Sequence, residues 1–166
     1  MTTDLITDLF VYGTLKRGQC RETMWPRQPV SVRPAFIRGR LYDLGPYPAI
    51  WCGDCLCHGS AADIGNPAGG VVGADDCDWV AGEIWSIHPS DLAATIEELD
   101  MIEETNQPGL PNLYDHIVVR AHAQPGSAES VLALAYQYSR LEDLSHASRV
   151  DRRPDDRYVI WPRPAP

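Results

Sequence analysis

Basic residues are scarce in this chain. Fourteen Lys and Arg stand against 23 Asp and Glu in 166 residues, for a formal charge of -9 and a pI near 4.9. Binding a nucleic-acid backbone or an anionic membrane surface needs clustered cations, so the deficit argues against both as partners. A small anionic ligand stays open, since a few local donors suffice for it. Long apolar runs are missing as well. The amino-terminal MTTDLITDLF has two acids, no basic region and no extended hydrophobic stretch, so neither a signal peptide nor a membrane span is expected and the expected location is cytoplasmic. Five cysteines (Cys20, Cys52, Cys55, Cys57, Cys77) make an odd count, and without secretion cues they favour reduced thiols over a disulfide framework. A chain of this length can bury roughly two thirds of its unfolded surface as one unit. A single domain over residues 1–166 is therefore expected, with a core at about 9–140 and a tail, 141–166, that the pattern leaves unassigned.

What is present is mostly period-two alternation, the mark of half-buried strands. It runs through Leu9–Tyr12, Ala35–Leu44, the short Pro46–Trp51, Cys77–Ile87, Leu113–Ala123 and Ser130–Ser139. The last two flank QPGSAE, which reads as a hairpin turn. Residues 52–76 are rich in Gly, Ala and Asp without a period and read as a long loop, either functional or mobile.

One segment has helical spacing, HPSDLAATIEELDMIE from His88 to Glu103. Pro89, Ser90 and Asp91 suit its start, and NQPG from Asn106 stops it. At roughly 100° per residue, Leu92, Ile96, Leu99 and Glu103 lie near 0°, 40°, 340° and 20°, so Glu103 falls on the apolar stripe. A carboxylate facing a core is costly unless paired, hydrogen-bonded or protonated. Either the helix ends at Ile102 and Glu103 turns to solvent, or burial raises its pKa toward neutrality and suits it to general acid/base work. Glu83, between Trp79 and Trp85 on one strand face, raises the same question; an edge position or a structural hydrogen bond answers it more simply than catalysis does.

The strand Leu9–Tyr12 stops at Gly13-Thr14-Leu15-Lys16-Arg17-Gly18. The G-x-x-x-x-G spacing suggests a phosphate loop, but Gln19-Cys20 stands where that motif needs Lys followed by Ser or Thr. Successive backbone N–H groups at a strand end can still form a small concave site for a carboxylate; the plain alternative is a turn. CGDCLCH (Cys52 to His58) with Cys77 has ligands soft enough for zinc, yet it lacks a second C-x2-C pair, so no metal is expected.

FVYGTLKRGQ resembles the opening of the gamma-glutamylcyclotransferase-like superfamily, in its gamma-glutamylamine cyclotransferase and avirulence-induced-gene-like branch. RGRLYDLGPYPAI, VAGEIWSI, LDMIE, LY and YQYSR follow in the family's order over roughly residues 9–140. The resemblance implies an α+β fold, a small curved or barrel-like mixed sheet with flanking helices and a cavity at one end. It implies substrate binding by Tyr12, Gly13, Thr14 and Leu15, a cavity-wall role for Tyr138, and catalysis by Glu103, the residue the helical geometry also isolates. One departure stands out: members commonly have Tyr-x-Arg after the catalytic helix, and this chain has Tyr114-Asp115-His116.

The reaction so implied is intramolecular. The alpha-amino group of a small-molecule gamma-glutamyl substrate attacks its own gamma-carbonyl, releasing 5-oxoproline and an amine, with no protein nucleophile, metal or organic cofactor. A noncatalytic metabolite-binding module on the same fold, and removal of a gamma-glutamyl protecting group within a biosynthetic pathway, are the alternatives. Oligomeric state cannot be read from these residues.

Overall fold

The computed structural model describes residues 5–53 and 77–164. In chain order the elements are β1 (Asp8–Val11), a 3-10 turn (Glu22–Met24), β2 (Ser31–Asp43), β3 (Pro48–Trp51), β4 (Asp78–Ser86), α1 (Leu92–Ile102), β5 (Tyr114–His122), β6 (Ser130–Tyr138), α2 (Leu141–Leu144) and β7 (Ser148–Arg149). The sheet runs β3-β2-β4-β1-β6-β5, and β5 returns to β2 where Phe36 meets His122. Strands β2, β4, β1, β6 and β5 thereby close into a barrel-like ring, with β3 and β7 paired to the carboxy-terminal half of β2. The expected α+β class, a small mixed barrel-like sheet with few helices, is the architecture found.

Each expected strand is present within a few residues. Leu9–Tyr12, counted above among the alternating runs, is instead apolar throughout, because β1 is central and buried on both faces. Phe10 and Tyr12 enter one core cluster with Ile37, Val80, Ile84 and Val119, while Leu9 and Val11 enter another with Trp85, Leu92 and Leu99. The second cluster packs α1 against the sheet. The β5–β6 hairpin turns through Gln124-Pro125-Gly126-Ser127, with Ser127 N–H bonded to Gln124 C=O and Gly126 at φ +81°. Pro and Gly sit at the two positions a type II turn reserves for them.

Two local expectations need correction. Pro89 lies outside α1, which begins at Leu92 after an Asp91 cap whose side chain makes no capping bond. Cys77 is disulfide-bonded, whereas reduced thiols were expected throughout. Disulfides require two Cα atoms within about 7 Å, a proximity that spacing along the chain does not reveal. Cys20 and Cys52 remain thiols. Cys55, Cys57 and His58 lie outside the described residues, as does most of the long loop expected over 52–76.

The unassigned tail has structure. Beyond α2 and β7, Val159 exchanges backbone bonds with β4, its N–H to Trp79 and its C=O to Ala81. The Trp161 indole donates to Asp43, and the Lys16 ammonium donates to the Trp161 carbonyl. Among the described residues no helix is long and apolar enough to cross a membrane.

Candidate active site

Because β1 and β6 are parallel, their carboxy-terminal ends lie at the same end of the barrel. The loop after β1 therefore meets Tyr136 of β6, and the antiparallel β5–β6 pairing adds Tyr114, opposite Tyr138. Helix α1 ends just before β5 and delivers Glu103 to the same place. The result is a cavity of about 240 Å³ whose wall includes Tyr12, Gly13, Thr14, Leu15, Arg21, Tyr47, Pro48, Glu103, Tyr114, Tyr136 and Arg140.

The loop is held by bonds that leave its inward groups free. Lys16 N–H bonds Gly13 C=O at 3.1 Å, Arg21 N–H bonds Thr14 C=O at 2.9 Å, and the Trp25 indole donates to Leu15 C=O at 2.8 Å. That indole stacks on Trp85, ring centres 4.2 Å apart. Glu83 accepts the Arg17 N–H at 3.0 Å, the Arg17 guanidinium at 3.1 Å and the Trp85 indole at 2.9 Å, so it is a loop anchor and does not line the cavity. Burial lowers the pKa of Lys16, against the pull of Glu83. The loop's carbonyls are consumed, yet among the described residues the backbone N–H groups of Gly13, Thr14 and Leu15 donate to nothing. A Cβ on Gly13 would sit 2.8 Å from the Pro48 ring, so this close approach of loop to β3 requires glycine.

Helix α1 does end at Ile102, but Glu103 does not turn away. It caps the helix, its N–H bonded to Leu99 C=O at 2.8 Å, and Thr105 N–H closes back on Asp100 C=O at 2.8 Å. This is a Schellman-type ending, which puts Glu104 at φ +52° in the left-handed position glycine usually fills. The turn leaves the Glu103 side chain partly buried on the cavity wall. Burial raises its pKa to about 7, with Arg21 pulling the other way. Among the described residues its carboxylate has no hydrogen bond or ion pair.

Around it the tyrosines are tied down. Tyr12 donates to Tyr136 C=O at 2.6 Å and accepts from Ile50 N–H, and Tyr114 donates to Pro48 C=O at 2.8 Å. Tyr136 donates to Asp100 at 2.7 Å, and the same carboxylate oxygen meets His116 Nε2 at 2.5 Å. His116, the departure from Tyr-x-Arg, thus braces the residue three positions before Glu103. Burial raises the pKa of Tyr12, Tyr114 and Tyr136.

The structure thus brings Tyr12, Gly13, Thr14, Leu15 and Glu103 together. Tyr138 it does not: the ring packs edge-on behind Tyr114, 5.5 Å between centres, and the hydroxyl donates to Asp143 at 3.0 Å. Tyr136 stands on the wall instead. It lies two residues earlier on the same strand face, so the alternation carried the signal. Tyr47 and Pro48 belong to the noted PYPAIW stretch and Arg140 ends the noted YQYSR, though no role was read for it, whereas Arg21 had no sequence signal.

Residues 9–67 match the family model described as gamma-glutamyl cyclotransferase, AIG2-like. That match spans about a third of this chain. The matched stretch contains the Gly13–Leu15 half of the cavity and stops before α1 and Glu103. Two solved structures are similar: YkqA from Bacillus subtilis, at 18% identity, TM-score 0.47, 81% of this chain and 36% of that one; and an AIG2-like protein from Mus musculus, at 19% identity, TM-score 0.48, 82% of this chain and 81% of that one. This chain therefore spans about a third of the length of the Bacillus protein. No curated protein matches it.

Proposed function

We propose that the protein is a gamma-glutamyl cyclotransferase that releases 5-oxoproline and a free amine from a small gamma-glutamyl amine or amide. One observation carries this reading: three undonated backbone N–H groups and one unpartnered carboxylate with a pKa of about 7 converge on a single small cavity. The N–H groups of Gly13, Thr14 and Leu15 hold the alpha-carboxylate of the gamma-glutamyl unit, as a concave run of backbone donors holds an anion. Glu103 accepts a proton from the alpha-ammonium group. The freed amine attacks the gamma-carbonyl, the new C–N bond closes the five-membered lactam, and the original amide C–N bond breaks. Glu103 gives that proton to the departing nitrogen, and the second proton shed by the new ring nitrogen leaves on the amine, which departs in its ammonium form.

Nucleophile and electrophile share one molecule, so the enzyme's work is to fold the substrate and carry protons from the attacking to the departing nitrogen. The reaction as written needs no residue as nucleophile and no cofactor. A pKa near 7 suits a group that must both take and give a proton near neutrality. The tied tyrosines shape the wall without competing for that proton.

The test is 5-oxoproline release from a panel of gamma-glutamyl amines, dipeptides and lysine isopeptides. Wild type is expected to turn over at least one, and Glu103→Gln, folded by circular dichroism, to lose about 10²–10⁴-fold in kcat. Silence of the wild type across the panel, or full activity of the Gln variant, rejects the reading.

A further inference from the structure

The carboxy-terminal tail is bonded to both loops that wall the cavity. Val159 joins β4, and two residues further on Trp161 enters the core cluster that holds Tyr12 and Leu41. The polar groups of Trp161 then go to two different segments. Its indole N–H donates to Asp43 Oδ1 at 3.1 Å, and its carbonyl accepts from the Lys16 ammonium. Neither Lys16 nor Trp161 lines the cavity, yet both bonds end on segments that do. Lys16 follows Leu15, the last residue of the donor loop. Asp43 ends β2, and the same Oδ1 holds the Gly45 N–H at 2.8 Å, inside the turn that Leu44 N–H and Tyr47 C=O close. Tyr47 and Pro48, at the far side of that turn, are cavity wall.

Lys16 makes the link tight. It is buried, and among the described residues its ammonium makes one hydrogen bond, the one to Trp161. A buried cation deprived of its acceptor is costly, so loop and tail hold each other in place. We propose that Trp161 is a positioning residue for the site: its carbonyl and its indole fix the loop after β1 and the β2–β3 turn relative to each other. The two walls have little slack where they meet, since a Cβ on Gly13 would sit 2.8 Å from the Pro48 ring. Resting on the cyclotransferase reading, a shift between them moves the Gly13–Leu15 N–H groups, which bind the substrate carboxylate, more than it moves Glu103 on its helix end. Trp161 lies beyond residues 9–140, over which the family motifs run, so the device belongs to this chain's tail. A tryptophan that merely filled the core would stabilise the whole barrel without coupling two loops.

Hydrogen–deuterium exchange of the full chain reads that coupling. Two variants serve: Trp161→Phe keeps a ring in the core, and Lys16→Met keeps an apolar stem without the ammonium. Lys16→Met should speed exchange of the Leu44 and Gly45 N–H groups about five- to tenfold, the size of one hydrogen bond, although the substitution lies in the other loop. Trp161→Phe should do the same to the Lys16 and Arg21 N–H groups, with β5 and β6 unchanged. The double variant should match the stronger single one, because both break one bridge. On a gamma-glutamyl substrate each single variant should raise KM about five- to tenfold at nearly constant kcat. Exchange that rises only in the substituted segment, evenly over the barrel or additively in the double variant overturns the inference, as does an unchanged KM. A wild type that releases no 5-oxoproline rejects the cyclotransferase reading alone, and exchange then decides the bridge.

Discussion

Glu83, in the middle of β4, receives three N–H donors, from the Arg17 backbone, the Arg17 guanidinium and the Trp85 indole. Glu103, one residue past the end of α1, receives none among the described residues and has its pKa raised to about 7 by burial. Both stand on faces whose neighbours are apolar. The difference teaches that a carboxylate on an apolar face is not itself a functional signal; what matters is whether the fold supplies donors. Where it does, the acid is a fastener, and here Glu83 fastens the very loop that lines one cavity with Glu103. Where it does not, the acid stays proton-hungry and available.

The strongest test of this contrast is the pH dependence of stability. The folded pKa of Glu103, about 7, lies above its unfolded value of 4.5, so its favourable contribution is full below about pH 4.5 and is lost as pH rises through 7. Gln does not titrate. In denaturant titrations Glu103→Gln should therefore gain on wild type from near zero at pH 4 to as much as about 3 kcal/mol above pH 8. A difference independent of pH would mean that Glu103 is not held away from donors.

Removing the fastener should cost less and do so differently. Glu83→Ala leaves the Arg17 and Trp85 donors without their acceptor, and a loss of about 2 kcal/mol is expected, read as a lower unfolding midpoint. The same variant should raise KM about tenfold with a smaller change in kcat, because the freed loop binds substrate less well. A fall in kcat alone, with KM unchanged, would break the assignment of Glu83 to the loop.

The smallest effect concerns the turn that aims Glu103. Glu104 holds φ +52°, a left-handed conformation that costs a non-glycine residue about 1 kcal/mol. Glu104→Gly should raise stability by up to about 1 kcal/mol, and Glu104→Ala should not. Equal effects of the two would point to the lost charge instead of the backbone.

Much of this was legible beforehand. The strands announced themselves by alternation, although β1, counted with them, proved apolar on both faces. Helical spacing singled out Glu103 even though its two readings each held half of the outcome: α1 ends at Ile102, yet the side chain stays on the wall because the Schellman-type turn redirects it. Tyr138 was one strand pair too far along; only the depth of the cavity distinguishes it from Tyr136, and alternation has no depth. His116 appeared as a missing Arg, and the structure gives it a partner in Asp100 that the chain order, sixteen residues apart, could not indicate.

The sequence by itself determined the elements, the rejection of a phosphate loop and the place of Glu103 on an apolar stripe; the class of fold came from the resemblance of its motifs to a family. Those are local properties: side-chain period, turn chemistry, and the residue types a motif requires. The tertiary structure alone decided that Glu83 is bonded and Glu103 is not among the described residues, that Tyr136 lines the cavity, and that Arg21 and Arg140 line it too. Each of these depends on which distant groups come within hydrogen-bond reach. That proximity is set by the parallel β1–β6 pair and the closure of β5 onto β2, long-range contacts whose cost and reward no short stretch of chain contains.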